Sequence, residues 1–380
     1  MHQRFGSRIV PVAAGLIAAA LVLGGCSGAS AGSGSALGSG SGDLPAAHAS
    51  VEKFLANPTT VGYDTPVTAA IPTGKRIVAL QVAADVMRMV TDTEMKAAAD
   101  LGWSVDRILV GSGPEDMAKA FDAALDSNPD GIYYSGQGTT AAILPELQQA
   151  ADRGIPVVSE ALGEDRPAQA IAQIRDSATS IQSGKLTADW IADDSQGAAH
   201  VLLVDVPSYL ILAPYATGMT DELSTVCSDC SLSKINVQLS DIGTTLPSMV
   251  ASELQRDPKI NYVVYGFGDM TIGLDAALSA VGVSDQATMT GQIPGVANIK
   301  TLKDGARGAW VPTLSPESGY RAIDAFVRFW TGGDPTIVEG VPAMQILTSK
   351  NVGTAVFTDD GYWVGSNDLA EQYKSMWKVG

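Results

Sequence analysis

From Lys75 onward the chain alternates short β-rich runs with amphipathic helical stretches, and this rhythm constrains the fold more than any other feature. Strand and helix in alternation build parallel βαβ units, because a parallel neighbour is reached only through a crossover. The pattern predicts strands over residues 77–82, 108–110, 131–134 and 156–159, with helices over 91–101, 115–126 and 141–153. After a looser segment it predicts a helix over 181–192, then strands over 200–205, 235–239, 262–265 and 309–312. Helices over 214–226, 246–256, 273–281 and 316–330 alternate with them. A chain of 380 residues exceeds what one core usually organises. The expected fold class is therefore α/β, two doubly wound parallel-sheet lobes with any ligand at the carboxyl ends of the strands.

The N-terminus reads as a processing signal. Arg4 and Arg8 precede an apolar run from Ile9 to Leu23 that is broken by Pro11 and is too short to span the ~30 Å hydrocarbon core as a helix. The run closes with Leu23-Gly24-Gly25-Cys26, which resembles the bacterial lipobox and implies lipidation of Cys26. Residues 1–25 are expected to be the signal peptide and 26–50 a Gly/Ser-rich tether. With Cys26 set aside, Cys227 and Cys230 form an even pair in an exported setting, and a local structural disulfide is expected.

Charge and motif spacing exclude several functions. The net charge of −17 opposes phosphate backbones and speaks against nucleic-acid binding. His2, His48 and His200 are the histidines, and none can join Cys227 and Cys230 in a zinc site. Gly266-Phe267-Gly268 follows a strand, yet Thr271 stands where a dinucleotide fingerprint needs its third glycine. Gly111-Ser112-Gly113-Pro114 lacks the Lys-Ser/Thr of a P-loop, and nothing in the spacing of carboxylates marks a general acid/base pair. No enzymatic activity, cofactor or metal site is expected.

Five segments in order carry a family resemblance: Glu94 to Trp103, Asn128 to Ile132, Ala151 to Val158, Gly184 to Ile191 and Gly273 to Leu278. From about Lys75 to Pro335 the chain resembles the ribose/galactose type of periplasmic binding protein, the solute receptors of ABC importers. The resemblance implies a monomer whose two lobes are joined by a three-segment hinge, with the ligand cleft between them. Residues 75–163 plus 282–312 would form lobe 1, residues 176–281 plus 313–335 lobe 2, and 336–380 a C-terminal hinge-crossing and packing segment.

At the positions where sugar-binding relatives place hydroxyl-reading or stacking groups, the chain differs. Ala84, Val86 and Met87 follow the first strand; Glu160, Ala161 and Leu162 follow the fourth. Tyr215 replaces an arginine, Phe267-Gly268 replaces Asn-Asp with Asp269 displaced by one, and Gln292 falls near an expected acid. Unmatched buried hydroxyls would cost about 1–3 kcal/mol each, so these replacements suit a ligand with more apolar surface. Gln137, Asp269 and Gln292 would serve as polar anchors, while Tyr209, Tyr215 and Phe267 read equally as core or cleft wall. The expected function is a lipid-anchored solute receptor delivering a small organic molecule to an ABC permease at the outer face of the cell membrane. A ligand sensor for a membrane signalling partner, a sugar receptor proper, and a hydrolase on the same fold are the alternatives.

Overall fold

Strands that carry helices on both faces must be apolar on both faces. β1 (Arg76–Val82) shows this in Ile77, Val78, Ala79 and Leu80, all buried. The computed structural model describes residues 42–379 apart from 112, 114, 137 and 138. Cys26 and Gln137 lie outside the described residues.

Two parallel sheets organise the chain. In lobe 1, β1, β2 (Ser104–Val110), β3 (Gly131–Ser135), β4 (Val157–Glu160) and β5 (Ala170–Ile174) stand in the order β2-β1-β3-β4-β5. In lobe 2 the order is β11-β10-β9-β8-β6-β7, from β6 (His200–Asp205), β7 (Ser231–Asn236), β8 (Tyr262–Tyr265), β9 (Thr288–Gln292), β10 (Gly308–Val311) and β11 (Leu347–Thr348). Only β11 runs antiparallel among the described strands. One face of the lobe 1 sheet is covered by α3 (Asp116–Asp126) and α4 (Leu144–Asp152), the other by α2 (Asp85–Ala99) and α10 (Pro316–Trp330). Lobe 2 holds α5 (Ser177–Asp194) and α6 (Ala213–Val226) on one face. Its other face holds α7 (Leu246–Arg256), α8 (Leu274–Val281) and α9 (Val296–Lys303).

The lobe boundaries differ from those implied by the resemblance. Residues 282–312 belong to lobe 2, because β9 pairs with β8 and β10 with β9. Residues 313–335 belong to lobe 1, where α10 packs on α2: a β-carbon at Gly319 would lie 2.8 Å from the Glu94 amide nitrogen. The tether also ends sooner than residue 50. α1 (Leu44–Leu55) starts at Asp43, whose Oδ1 accepts from the Ala46 amide at 3.2 Å, and buries Ala47 and Val51 against lobe 2. Chain passes between the lobes at 56–60, 175–176, 312–315, 340–343 and 364–368, more often than a three-segment hinge requires. Cys227 and Cys230 form a disulfide at the end of α6, closing a turn with Cα atoms 5.3 Å apart.

A buried ionic ladder on α10 gathers the distant segments of lobe 1. Arg321 Nε donates to Glu317 Oε1 at 2.6 Å and Arg328 Nε to Asp324 Oδ2 at 2.7 Å, one helical turn apart in each case. Arg321 also donates to the carbonyls of Val61, Val338 and Gly340, each at 2.7 Å, and Arg328 to that of Thr65 at 2.8 Å. Asp324 accepts from Tyr63 at 2.9 Å and from the Trp377 indole of α11 (Leu369–Trp377) at 2.7 Å. Removing one member of a buried pair leaves its partner charged and dry. Asp324→Ala is therefore expected to lower unfolding stability by about 3–5 kcal/mol in urea titration; a loss below about 1 kcal/mol would show that the ladder contributes little.

Candidate functional site

The carboxyl ends of the strands in both sheets open on one cleft, a cavity of about 320 Å³. Lobe 1 supplies Val82 at the end of β1, Ala84 to Met87 at the start of α2, Ser135 and Gly136 at the end of β3, and Glu160 and Ala161 at the end of β4. From lobe 2 come Tyr209, Ile211 and Leu212 after β6, Phe267 to Asp269 after β8, and Ile293 to Val296 after β9. Arg175 and Leu314 enter from the crossing segments, and Tyr362 from the C-terminal segment. Among the described residues no group of His, Cys, Asp and Glu is placed to hold a metal ion, and no helix is long and apolar enough to cross a membrane.

Of the residues singled out from sequence, Ala84, Val86, Met87, Glu160, Ala161, Tyr209, Phe267 and Asp269 do line this cavity. Three do not. Leu162 turns into the lobe 1 core, and Tyr215 is buried in lobe 2 with its hydroxyl donating to Thr187 at 3.2 Å. Gln292 is buried on β9 just before the wall residue Ile293, its Oε1 lacking a hydrogen bond. Asp85, Ser135, Arg175, Ile293, Leu314 and Tyr362 went unread. Arg175 and Ile293 follow β5 and β9, strands with no clear sequence signal, and Tyr362 lies beyond the segment of resemblance. For Arg175 the signal available was the helix cap Asp176, which accepts from the Thr179 amide at 3.0 Å.

The wall is held in an uncommon backbone shape. Ala161 (φ 48°), Arg175 (φ 50°) and Ile293 (φ 48°) take left-handed conformations at the ends of β4, β5 and β9. Such conformations cost about 1–3 kcal/mol each and persist where surroundings over-determine them. Here the Ala161 amide donates to Ile174 at 3.0 Å, the Ile293 amide to Val311 at 3.0 Å, and the Gly268 amide to the Ile293 carbonyl at 2.9 Å. Beneath the wall, the Tyr133 hydroxyl donates to Glu160, and Arg175 Nη1 stands 3.7 Å from Glu160 Oε1. Burial, with the facing Glu160 charge adding to it, pushes the Glu94 carboxyl well above the usual range, against the opposing pull of Arg107. Burial first and the Asp85 charge second also raise Asp269.

A two-lobed α/β protein with a cleft across its crossing segments defines a class of ligand-closing receptors. Residues 84–334 match the model of the periplasmic binding protein domain, and the chain belongs to that family, whose members are solute-binding proteins and not enzymes. Among solved structures it is similar to a glucose-galactose binding protein from Geobacillus stearothermophilus at 18% identity and a TM-score of 0.64, covering 74% of this chain and 99% of that one. It is similar to a 5-methylthioribose transporter solute binding protein from Thermotoga lettingae at 17% identity and TM-score 0.64, covering 82% and 95%. An ABC transporter solute binding protein from Agrobacterium vitis with bound allitol is similar at 19% identity and TM-score 0.62, covering 74% and 98%. No curated protein sequence matches the chain.

Two tests follow from this geometry. At Gly163 a β-carbon would lie 2.6 Å from the Leu210 carbonyl oxygen and 2.8 Å from Ile211 Cα, so the lobes touch there only because the residue is glycine. Gly163→Val should hold the lobes apart, raising the radius of gyration in X-ray scattering while far-UV dichroism stays unchanged; an unaltered scattering curve would refute the contact. Glu94, with its raised folded-state value, keeps its proton where the unfolded chain has released it, so its contribution to stability falls as pH rises above the ordinary glutamate range. The stability gain of Glu94→Gln over wild type should accordingly widen with pH, by up to about 1.4 kcal/mol per unit. A gain independent of pH would show that Glu94 is ionised in the fold.

Proposed function

We propose that the chain is the lipid-anchored capture component of an ABC import system and that its ligand is a small organic molecule with a substantial apolar face, such as an aromatic, alicyclic or terpenoid-like compound. The observation that carries this reading is the composition of the cleft wall. Val82, Ala84, Val86, Met87, Ile211, Phe267, Ile293 and Leu314 surround a few polar groups, chiefly Ser135, Glu160, Arg175 and Asp269. Sites that orient a ligand with a few polar groups on an apolar wall bind by area and select by hydrogen bonds. Glucose, galactose, 5-methylthioribose and allitol are ligands of the similar proteins, whereas the wall here is mostly apolar. Cys26 would carry the lipid, with the following Gly/Ser run as tether; mass spectrometry of the exported protein identifies its modified N-terminus.

Thermal-shift screening across monosaccharides, polyols, nucleosides, aromatics and alicyclic compounds tests the ligand class, since a ligand at 100 times its Kd adds about 2.7 kcal/mol of stability. The binder is expected in the apolar set, with a clearly negative heat-capacity change in calorimetry. Phe267→Ala is expected to weaken it by about 2 kcal/mol or more. Micromolar binding of an ordinary hexose or pentose, with no response to the apolar set, would restore the sugar-receptor alternative.

A further inference from the structure

Two acids face the same cavity from opposite lobes. Asp85 stands in the first turn of α2, and Asp269 in the 3-10 turn Gly268–Thr271 that follows β8. The Asp269 carboxylate has no hydrogen bond and no basic neighbour among the described residues; the charge that acts on it is that of Asp85. Arg88 is the base beside Asp85, with its Nη1 3.3 Å from Asp92 and its Nε 4.0 Å from Asp85, and it is not on the cavity wall. Arg175, the one basic residue lining the cavity among those described, is turned to the buried Glu160. The wall therefore presents three carboxylates and a single guanidinium, which stands 3.7 Å from one of them without a hydrogen bond to it.

The surroundings fit a cation and a donor. Tyr209 and Phe267 meet edge to face with ring centroids 6.4 Å apart, and Tyr362 adds a third aromatic ring. Tyr362, whose ring lines the same cavity, feels the charges of Asp85, Arg88, Asp360 and Asp269. Deeper in the cavity, Ser135 Oγ and Glu160 Oε1 lack hydrogen bonds although the two residues are 4% and 0% exposed. Buried polar atoms of this kind need a partner. A neutral hydrocarbon would leave these buried atoms unmet, and an anion would face three carboxylates.

We infer that the ligand is an amine: an alicyclic or aromatic molecule whose ammonium sits between Asp85 and Asp269 beside the Phe267 and Tyr362 rings, while a donor at its other end reaches Glu160 and Ser135. An ammonium satisfies two opposed carboxylates at once and is attracted to aromatic faces. The inference rests on the solute-receptor reading above and adds a charge to the ligand class.

Calorimetry with matched pairs separates the two ideas: cyclohexylamine against cyclohexanol, phenethylamine against 2-phenylethanol, and glucosamine against glucose, at neutral pH and low salt. The amine of at least one pair is expected to bind 10-fold or more tightly than its neutral partner. Asp269→Asn and Asp85→Asn, both on the cavity wall, should each weaken the amine 10-fold or more and the neutral partner by clearly less, so that most of the preference is lost. Neutral members binding as well as amines, or variants weakening both equally, would overturn the inference and leave the receptor reading intact. Silence from every pair and from the wider thermal-shift panel would overturn both.

Discussion

The lobe 1 half of the cleft depends on the ladder of charges inside α10. Burying a helix with two arginines and two acids along one side is costly by itself, because each ion is removed from water. It becomes favourable only when carbonyls and hydroxyls from elsewhere complete the hydrogen bonding. Tyr63, Val61 and Thr65 come from the N-terminal segment, Val338 and Gly340 from the stretch after α10, and Trp377 from α11. Segments far apart in sequence are thereby fixed to the face of α2, whose first turn supplies Ala84 to Met87 to the cavity wall.

The lining combines rigidity with unfinished polarity. Left-handed backbone at Ala161 and Ile293 is held by strand-end hydrogen bonds, and with Arg175 these residues shape the wall before any ligand arrives. Ser135 and Glu160, by contrast, carry buried oxygens without partners. A shaped wall with open hydrogen-bonding capacity selects by what it leaves unpaired: a ligand lacking the matching group loses more than the bond itself.

Much of this fold is legible in the sequence, and the exceptions have physical causes. β1, β3, β6 and β8 announce themselves as apolar runs because both faces are covered. β9, Thr288-Met289-Thr290-Gly291-Gln292, is central yet reads as polar, since Thr290 satisfies its hydroxyl on the Ala309 carbonyl at 2.7 Å and Gly291 is required by close approach to Tyr265. Missing that one strand shifts residues 282–312 to the wrong lobe. α1 hides because its Ala-rich start continues the composition of the Gly/Ser run, although Asp43 and Pro45 mark a helix start. In the site, residues at the ends of visible strands are found, as with Glu160 and Phe267. Tyr215, inferred by counting along a helix, falls inside the core.

The number of passes between the lobes has a mechanical consequence. Two bodies joined by a few neighbouring strands can both bend and twist about the joint. Links spread over 56–60, 175–176, 312–315, 340–343 and 364–368 act as parallel constraints, each shortening the range over which the lobes can rotate about their common axis. Each added link leaves less orientational freedom to be lost when a molecule is captured.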